Sequence, residues 1–394
     1  MTTPGTDTPA RGASPEVRTS IFYLSLFASS AAGAVLSGLW LHDRGLTTEQ
    51  IGLVSAVPLF AMLVLNLAVG RIADRAPDWK LSVVVAAALS SLCAAGLFLG
   101  HGFWGILLIW SATIIAHSSI IPVIDAAATR LASRRGSDFA AMRGWGTVGY
   151  LVVLVATGYV GLWVGPAAFL PLFVGLSVLR TILALQLPRF RAEGASTGGG
   201  ATRLRHVMKP WFLIPLAGWS VIYGTHTVIN AFMGLMWQDQ GIGPDVSGLL
   251  IAVGALSETA MFFAFRRIGP HFRSRTLILF SAAVTVLRWT AMAFSPSLPW
   301  LFVLQSLHGV TYAVGFLACV GFITRWTSDD IAAEAQSFFV MLQQAMAVIS
   351  LYGFGWLMGH FGAGAWWGAA GFALIGTLAI WRSWSWPQPD GKVA

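Results

Sequence analysis

The sequence predicts an all-α membrane protein, with 12 transmembrane helices in two six-helix bundles. Three observations carry this. Hydrophobic residues make up 56% of the 394-residue chain and charged residues only 10%, and the mean hydropathy is +0.72. A soluble domain carries roughly 25% charged residues, so a soluble enzyme, a fibre and a disordered chain are excluded together. Twelve apolar stretches reach the about 20 residues that a spanning helix needs. All connections between them are short except one, which divides six from six.

In chain order, residues 1–17 are polar and rich in Thr, Pro and Gly; they read as a disordered tail, with no cleavable leader expected. Spans are expected at 19–41, 49–73, 80–100, 103–130, 141–163 and 166–187, forming a first bundle over 18–187. The stretch 188–209 holds Gly194, Gly198, Gly199 and Gly200 among five basic residues and reads as a flexible linker. Further spans follow at 210–237, 245–266, 275–294, 298–325, 332–359 and 364–386, in a second bundle over 210–387, with a tail at 388–394. The alternating outward-facing strands of a barrel are absent. The 18 Trp and 25 Phe suit a long lipid perimeter with two interfaces.

The net charge of +8 raises the question of a nucleic-acid partner, and the placement of the charges answers it. Of the 24 Lys and Arg, twenty fall in the tails and in connections on the side of the termini. Only Arg44 falls in a connection on the other side, and Arg143, Arg180 and Arg288 lie within spans. Such asymmetry orients membrane proteins with their basic loops in the cytoplasm, so both termini are expected there, in a cell (inner) membrane. Cys93 and Cys319 lie in apolar segments and make no disulfide framework. No phosphate loop, zinc motif or nucleophile elbow stands in a fitting context. No metal, cofactor, enzymatic activity or nucleic-acid partner is therefore expected, and the chain is expected to be a monomer.

Polar residues inside the spans point to a path between helices. A charge at the centre of a span costs roughly 2.5–3.5 kcal/mol on the insertion scale, and such residues normally face a bundle interior or a water-filled cavity. Glu258, Arg288 and His308 fall on three successive spans and are candidates for one buried network. Burial favours a neutral carboxyl and an adjacent guanidinium favours an ionised one. A conformational change that separates them would make the acid bind and release a proton; a static pair holding three helices together is the competing reading. Asp125 and Arg143 end and begin the fourth and fifth spans and can meet across a short hairpin. They either hold polar solute groups or only cap and snorkel. Arg180 reads as snorkelling. Tyr223, His226 and Asn230 form a stripe on the seventh span, with Gln343 and Gln344 on the eleventh; ligand contacts and helix–helix hydrogen bonds both explain them.

The organisation in two sixes resembles the major facilitator superfamily. Gly70-Arg71-Ile72-Ala73-Asp74-Arg75 is similar to that superfamily's cytoplasmic loop signature, with Gly70, Asp74 and Arg75 at the matching positions. The resemblance implies conformational gating there. A degenerate echo, Arg266-Arg267-Ile268-Gly269 with Arg273 and Arg275, lacks the usual acid. Arg143-Gly144-Trp145-Gly146-Thr147-Val148-Gly149-Tyr150 resembles the fifth helix of the lactose permease-like and phenylpropionate permease-like transporters. Thr225-His226 with Trp237-Gln238-Asp239-Gln240-Gly241, and Leu304-Gln305-Ser306-Leu307-His308-Gly309-Val310-Thr311-Tyr312-Ala313, resemble their seventh and tenth helices. The resemblance, shared with nucleoside:proton symporters, implies that Asp125 and Arg143 hold substrate and that Tyr150 stacks near it. Glu258, Arg288 and His308 match the coupling positions. One departure is Thr311, where sugar symporters carry a proton-linked glutamate, so Glu258 is the expected proton carrier.

The expectation is a secondary active transporter working by alternating access. Its partners would be the lipid bilayer, protons and a small polar or weakly acidic organic solute of the sugar, nucleoside or aromatic acid class. Tyr223, His226, Asn230 and Gln343 complete the expected substrate site. Proton-driven efflux of small apolar compounds and a non-transporting membrane sensor are the alternatives.

Overall fold

The computed structural model describes residues 13–75, 78–190, 209–327 and 329–386, with the backbone alone for 66–75, 266 and 329–334. Twelve helices cross in turn: α1 Pro15–Asp43, α2 Thr48–Arg75, α3 Trp79–Gly96, α4 Gly102–Arg135, α5 Phe139–Val164 and α6 Phe169–Leu185. The second half holds α7 Pro210–Asp239, α8 Pro244–Ile268, α9 Ser274–Ala293, α10 Leu298–Trp326, α11 Asp329–Phe361 and α12 Ala365–Arg382. The last apolar stretch, Ala335–Ser385, spans two of these crossings and is divided by the turn Gly362–Gly364.

Local chemistry sets the ends. Ser14 and Asp138 accept from backbone N–H groups two or three residues on and so cap α1 and α5. Pro15, Pro210 and Pro244 open α1, α7 and α8, where a missing N–H costs nothing. Gly136, in the left-handed conformation, closes α4. Helix α1 thus begins four residues before the expected span, and Pro15, Glu16 and Val17 belong to the helix rather than to the tail. Residues 1–12, most of the linker and the C-terminal tail lie outside the described residues, as do the side chains of Gly70, Asp74 and Arg75.

Packing repeats with a period of six helices. Helix α1 lies on α5 and α6, α3 on α4 and α6, and α2 on α4; α7 lies on α11 and α12, α9 on α10 and α12, and α8 on α10. The halves meet where α1 faces α7, α2 faces α11 and α5 faces α8. Their outer faces carry exposed apolar side chains such as Leu92 and Leu287, as lipid requires.

Among the described residues, the close backbone contacts between halves at glycines lie on one face. Odd-numbered helices begin on the face of the termini, so the ends of α1, α5, α7 and α11 and the starts of α2 and α8 lie on the opposite, distal face. There glycines let backbones touch. A Cβ on Gly38 would collide with the Ala231 carbonyl; on Gly52 it would stand 2.6 Å from the Leu351 oxygen, on Gly355 2.6 Å from the Thr48 oxygen, and on Gly158 2.7 Å from the Pro244 oxygen. Small residues of this kind permit close helix approach in lipid. The largest apolar cluster runs through both halves and includes Val35, Leu39 and Ile51 with Met233, Trp237 and Leu351. A second cluster, with Phe22, Trp79 and Val83, lies in the first half alone.

Helix α10 is not a continuous α-helix. Between Leu298–Ser306 and Gly315–Trp326 it widens into a π-helical stretch, Gly309–Val314. Such stretches recur at functional sites. The turn frees the Thr311 carbonyl, which accepts from the Ser281 hydroxyl at 2.9 Å, and the Gly309 N–H, which donates to Ser257 Oγ at 3.0 Å.

Candidate functional site

A cavity of about 950 Å³ lies between the halves and opens toward the face of the termini. Its walls reach Phe139 and Ala140 in the first turn of α5 and Phe262 and Phe263 near the end of α8. The distal seams close its other end. Most of its surface is apolar and aromatic, from Phe27, Tyr150, Tyr223 and Tyr312. Arg143, His226, Asn230, Glu258, Gln305 and His308 are among the polar exceptions.

On the first-half wall, Arg143 Nε lies 3.4 Å from Asp125 Oδ1. The guanidinium spreads over the Phe27 ring, 4.0 Å from its centroid, a cation–π contact. Asp125 stands behind Arg143 rather than on the wall and accepts a hydrogen bond from the Tyr23 hydroxyl at 2.6 Å. Tyr23 is fully buried. The sequence did not point to it, because it lies within an apolar run of α1 that reads as lipid-facing. Gly146 leaves room for Phe27, since a Cβ there would stand 2.5 Å from the ring.

On the second-half wall six side chains join in one network of contacts. His308 Nε2 lies 3.3 Å from Glu258 Oε2, and its Nδ1 lies 3.2 Å from Arg288 Nη1. Arginine can only donate, so Nδ1 must accept and Nε2 carries the proton that faces Glu258. Arg288 also donates to Thr311 Oγ1 at 3.0 Å and to Gln305 Oε1 at 2.8 Å. His226 Nδ1 faces the Ile222 carbonyl at 2.9 Å, so that nitrogen is the donor, and Nε2 accepts from the Thr311 hydroxyl at 3.0 Å. Thr311 therefore links Arg288 to His226, and its residue type mattered more than its mismatch with the sugar symporters suggested. Arg288 is 1% exposed and meets Glu258 only through His308, so the direct acid–arginine pair is replaced by a relay. The His308 ring stacks on Tyr312 and Tyr312 on Phe316.

Three further residues fall elsewhere than expected. Gln343 is buried and does not line the cavity, and its Nε2 has no hydrogen-bond partner. Gln344 likewise keeps Oε1 unpaired. Arg180 does not snorkel. It is 0% exposed and donates to His117 Nδ1 and Ser29 Oγ, while His117 Nε2 meets Ser30 Oγ at 3.0 Å. Its position in the inner half of α6 suggested an end-of-span residue, but α1 and α4 cover it. Among the described residues no group of His, Cys, Asp and Glu is placed to hold a metal ion.

Comparison with known proteins agrees with this architecture. The chain is 28% identical over 361 residues to the probable 3-phenylpropionic acid transporter of Escherichia coli strain K12, covering 89% of this chain and 93% of that one. It is 24% identical over 320 residues to the maltose permease of Geobacillus stearothermophilus, covering 80% of each. Among solved structures, the nucleoside transporter NupG superposes with a TM-score of 0.82 at 16% identity, over 95% of this chain and 100% of that one. Residues 17–375 match the MFS_1 like family, and the chain belongs to that family of major facilitator transporters.

Proposed function

We propose that the protein imports a small organic acid with an aromatic or similarly flat body together with a proton, by alternating access across the inner membrane. The observation that carries the reading is a single cavity with a guanidinium, Arg143, on one half and a carboxylate, Glu258, on the other, between aromatic walls. A carboxylate solute would take the free side of the Arg143 fork, and its flat body would lie among Phe27, Tyr150 and Tyr223. The name of the 3-phenylpropionic acid relative supports this solute class, and those of NupG and the maltose permease keep nucleosides and sugars as the next candidates.

Coupling would work through the relay. In this open state the His308 Nε2–H supports Glu258 as a carboxylate. Rocking of the halves that draws His308 away removes that donor, and Glu258 then takes a proton from the cavity water. Return of His308 releases it on the other side of the cycle. The basic residues on the face of the termini support a cytoplasmic placement, which makes the cavity inward-open. A reporter fused to the C-terminus should be active only in the cytoplasm; activity confined to the periplasm would reverse the direction of every step above.

If Arg143 holds the solute, Arg143→Lys should weaken binding about tenfold or more, because lysine keeps the charge but loses the planar fork and the Phe27 contact. Exchange of the pair, Asp125→Arg with Arg143→Asp, should not restore transport. Full transport in that double variant would assign the pair a structural role. The mainly apolar walls also favour one rival, proton-driven efflux of apolar compounds. The test of the class is a thermal-shift panel of 3-phenylpropionate, uridine, maltose and an apolar cation on the purified protein, since a ligand bound only by the folded state stabilises it. Stabilisation by the apolar cation alone would favour efflux.

A further inference from the structure

A second pocket, of about 330 Å³, lies on the face of the termini, away from the central cavity. It is lined by Arg273, Ser274 and Arg275 at the start of α9, Arg325 and Trp326 at the end of α10, and Trp384 beyond α12. The three arginines face it from two helices, and none forms an ion pair with a described residue. Among the described residues Arg325 has only the Trp326 ring, 5.6 Å away. Arg275 is 8% exposed and donates Nη2 to the Trp211 and Ser383 carbonyls, which fixes it in place, while its Nε has no partner. Arg273 occupies the N-cap of α9 and offers no side-chain acceptor. The start of that 20-residue helix therefore has no side-chain cap. The corresponding stretch of sequence is the echo of the loop signature from which the acid is missing.

We propose that this pocket binds a phosphate group, presented either by an anionic phospholipid or by a free phosphate. Three guanidinia, two hydroxyls and a helix start without a side-chain cap supply donors and positive potential, and among the described residues no carboxylate lines the pocket. Trp326 and Trp384 fit the level of lipid headgroups, where indole rings concentrate. Basic pockets between membrane helices on the basic-loop face bind anionic headgroups. Such a ligand would tie α9 and α10 to the chain end that follows α12, and thus brace one edge of the second bundle.

The experiment uses the full chain in dodecyl maltoside and follows thermal stability during titration with dihexanoyl phosphatidylglycerol, dihexanoyl phosphatidylcholine and sodium phosphate. The expected result is saturable stabilisation by phosphatidylglycerol, with apparent affinity at least tenfold weaker in R273Q/R325Q and unchanged in R267Q/R382Q. The second variant removes the same charge from the same face outside the pocket. Equal stabilisation by sodium phosphate, lost in the same variant, assigns the site to free phosphate; a response to the lipid alone assigns it to a headgroup. Should R273Q/R325Q not fold, R325Q alone replaces it, since that side chain is exposed and, among the described residues, contacts only the Trp326 ring. The proposal is overturned if neither phosphatidylglycerol nor phosphate binds, if phosphatidylcholine acts as strongly, or if R267Q/R382Q loses as much as the pocket variant.

Discussion

Glu258→Gln should abolish uphill accumulation of the solute while leaving exchange between equal concentrations near the wild-type rate. Glutamine is isosteric and uncharged, so it stands for the carrier with its proton permanently in place. The substitution should also fold normally, because glutamine Oε1 can accept the His308 Nε2–H that now faces the carboxylate at 3.3 Å. Exchange needs the loaded protein only to reorient; accumulation needs the proton to leave. Thr311 stands where a second acid would be in sugar symporters, and among the described residues no carboxylate other than Glu258 lines the cavity. Both modes are read in proteoliposomes with labelled solute. Wild-type accumulation by the variant would make Glu258 a structural residue.

Gly38→Leu should disable transport by at least about tenfold through the conformational equilibrium, although residue 38 lies outside the cavity. Even the Cβ of the new side chain would collide with the Ala231 carbonyl across the α1–α7 seam. In the proposed rocking cycle the distal seam must open and close again. In a background with Cys93 and Cys319 replaced by alanine, Asn230→Cys, exposed in the cavity, reports on access. An impermeant maleimide added at the distal face should label it slowly in the parent protein and rapidly when Gly38→Leu is present. Equal labelling in both would mean that the glycine seam does not seal the cavity.

The fold was legible because lipid imposes a simple rule: about 20 apolar residues per crossing, and a polar stretch of different character between the two sixes. Asp125 and Arg143 were legible for a related reason, since a short hairpin must bring the ends of α4 and α5 together. What escaped the sequence has physical causes as well. Tyr23 is as apolar in pattern as the lipid-facing residues beside it, and only packing of α1 against α4 reveals its hydroxyl on Asp125. The π-helical turn in α10 leaves hydropathy unchanged, yet it sets the facing of His308 and Thr311. Arg180 was assigned to the membrane edge by its position along α6, whereas its partner His117 lies 63 residues away in sequence. Gln343 was grouped with the cavity by polarity alone, and polarity does not say which way a helix turns.

Coupling between solute and proton can be measured without an imposed gradient. De-energised proteoliposomes in weak buffer are given 3-phenylpropionate, or whichever panel solute stabilises the protein, and the external pH is followed. Proton-coupled entry should give a solute-triggered rise in external pH that saturates with solute concentration and vanishes in Glu258→Gln. Entry of labelled solute with no change in pH would contradict it.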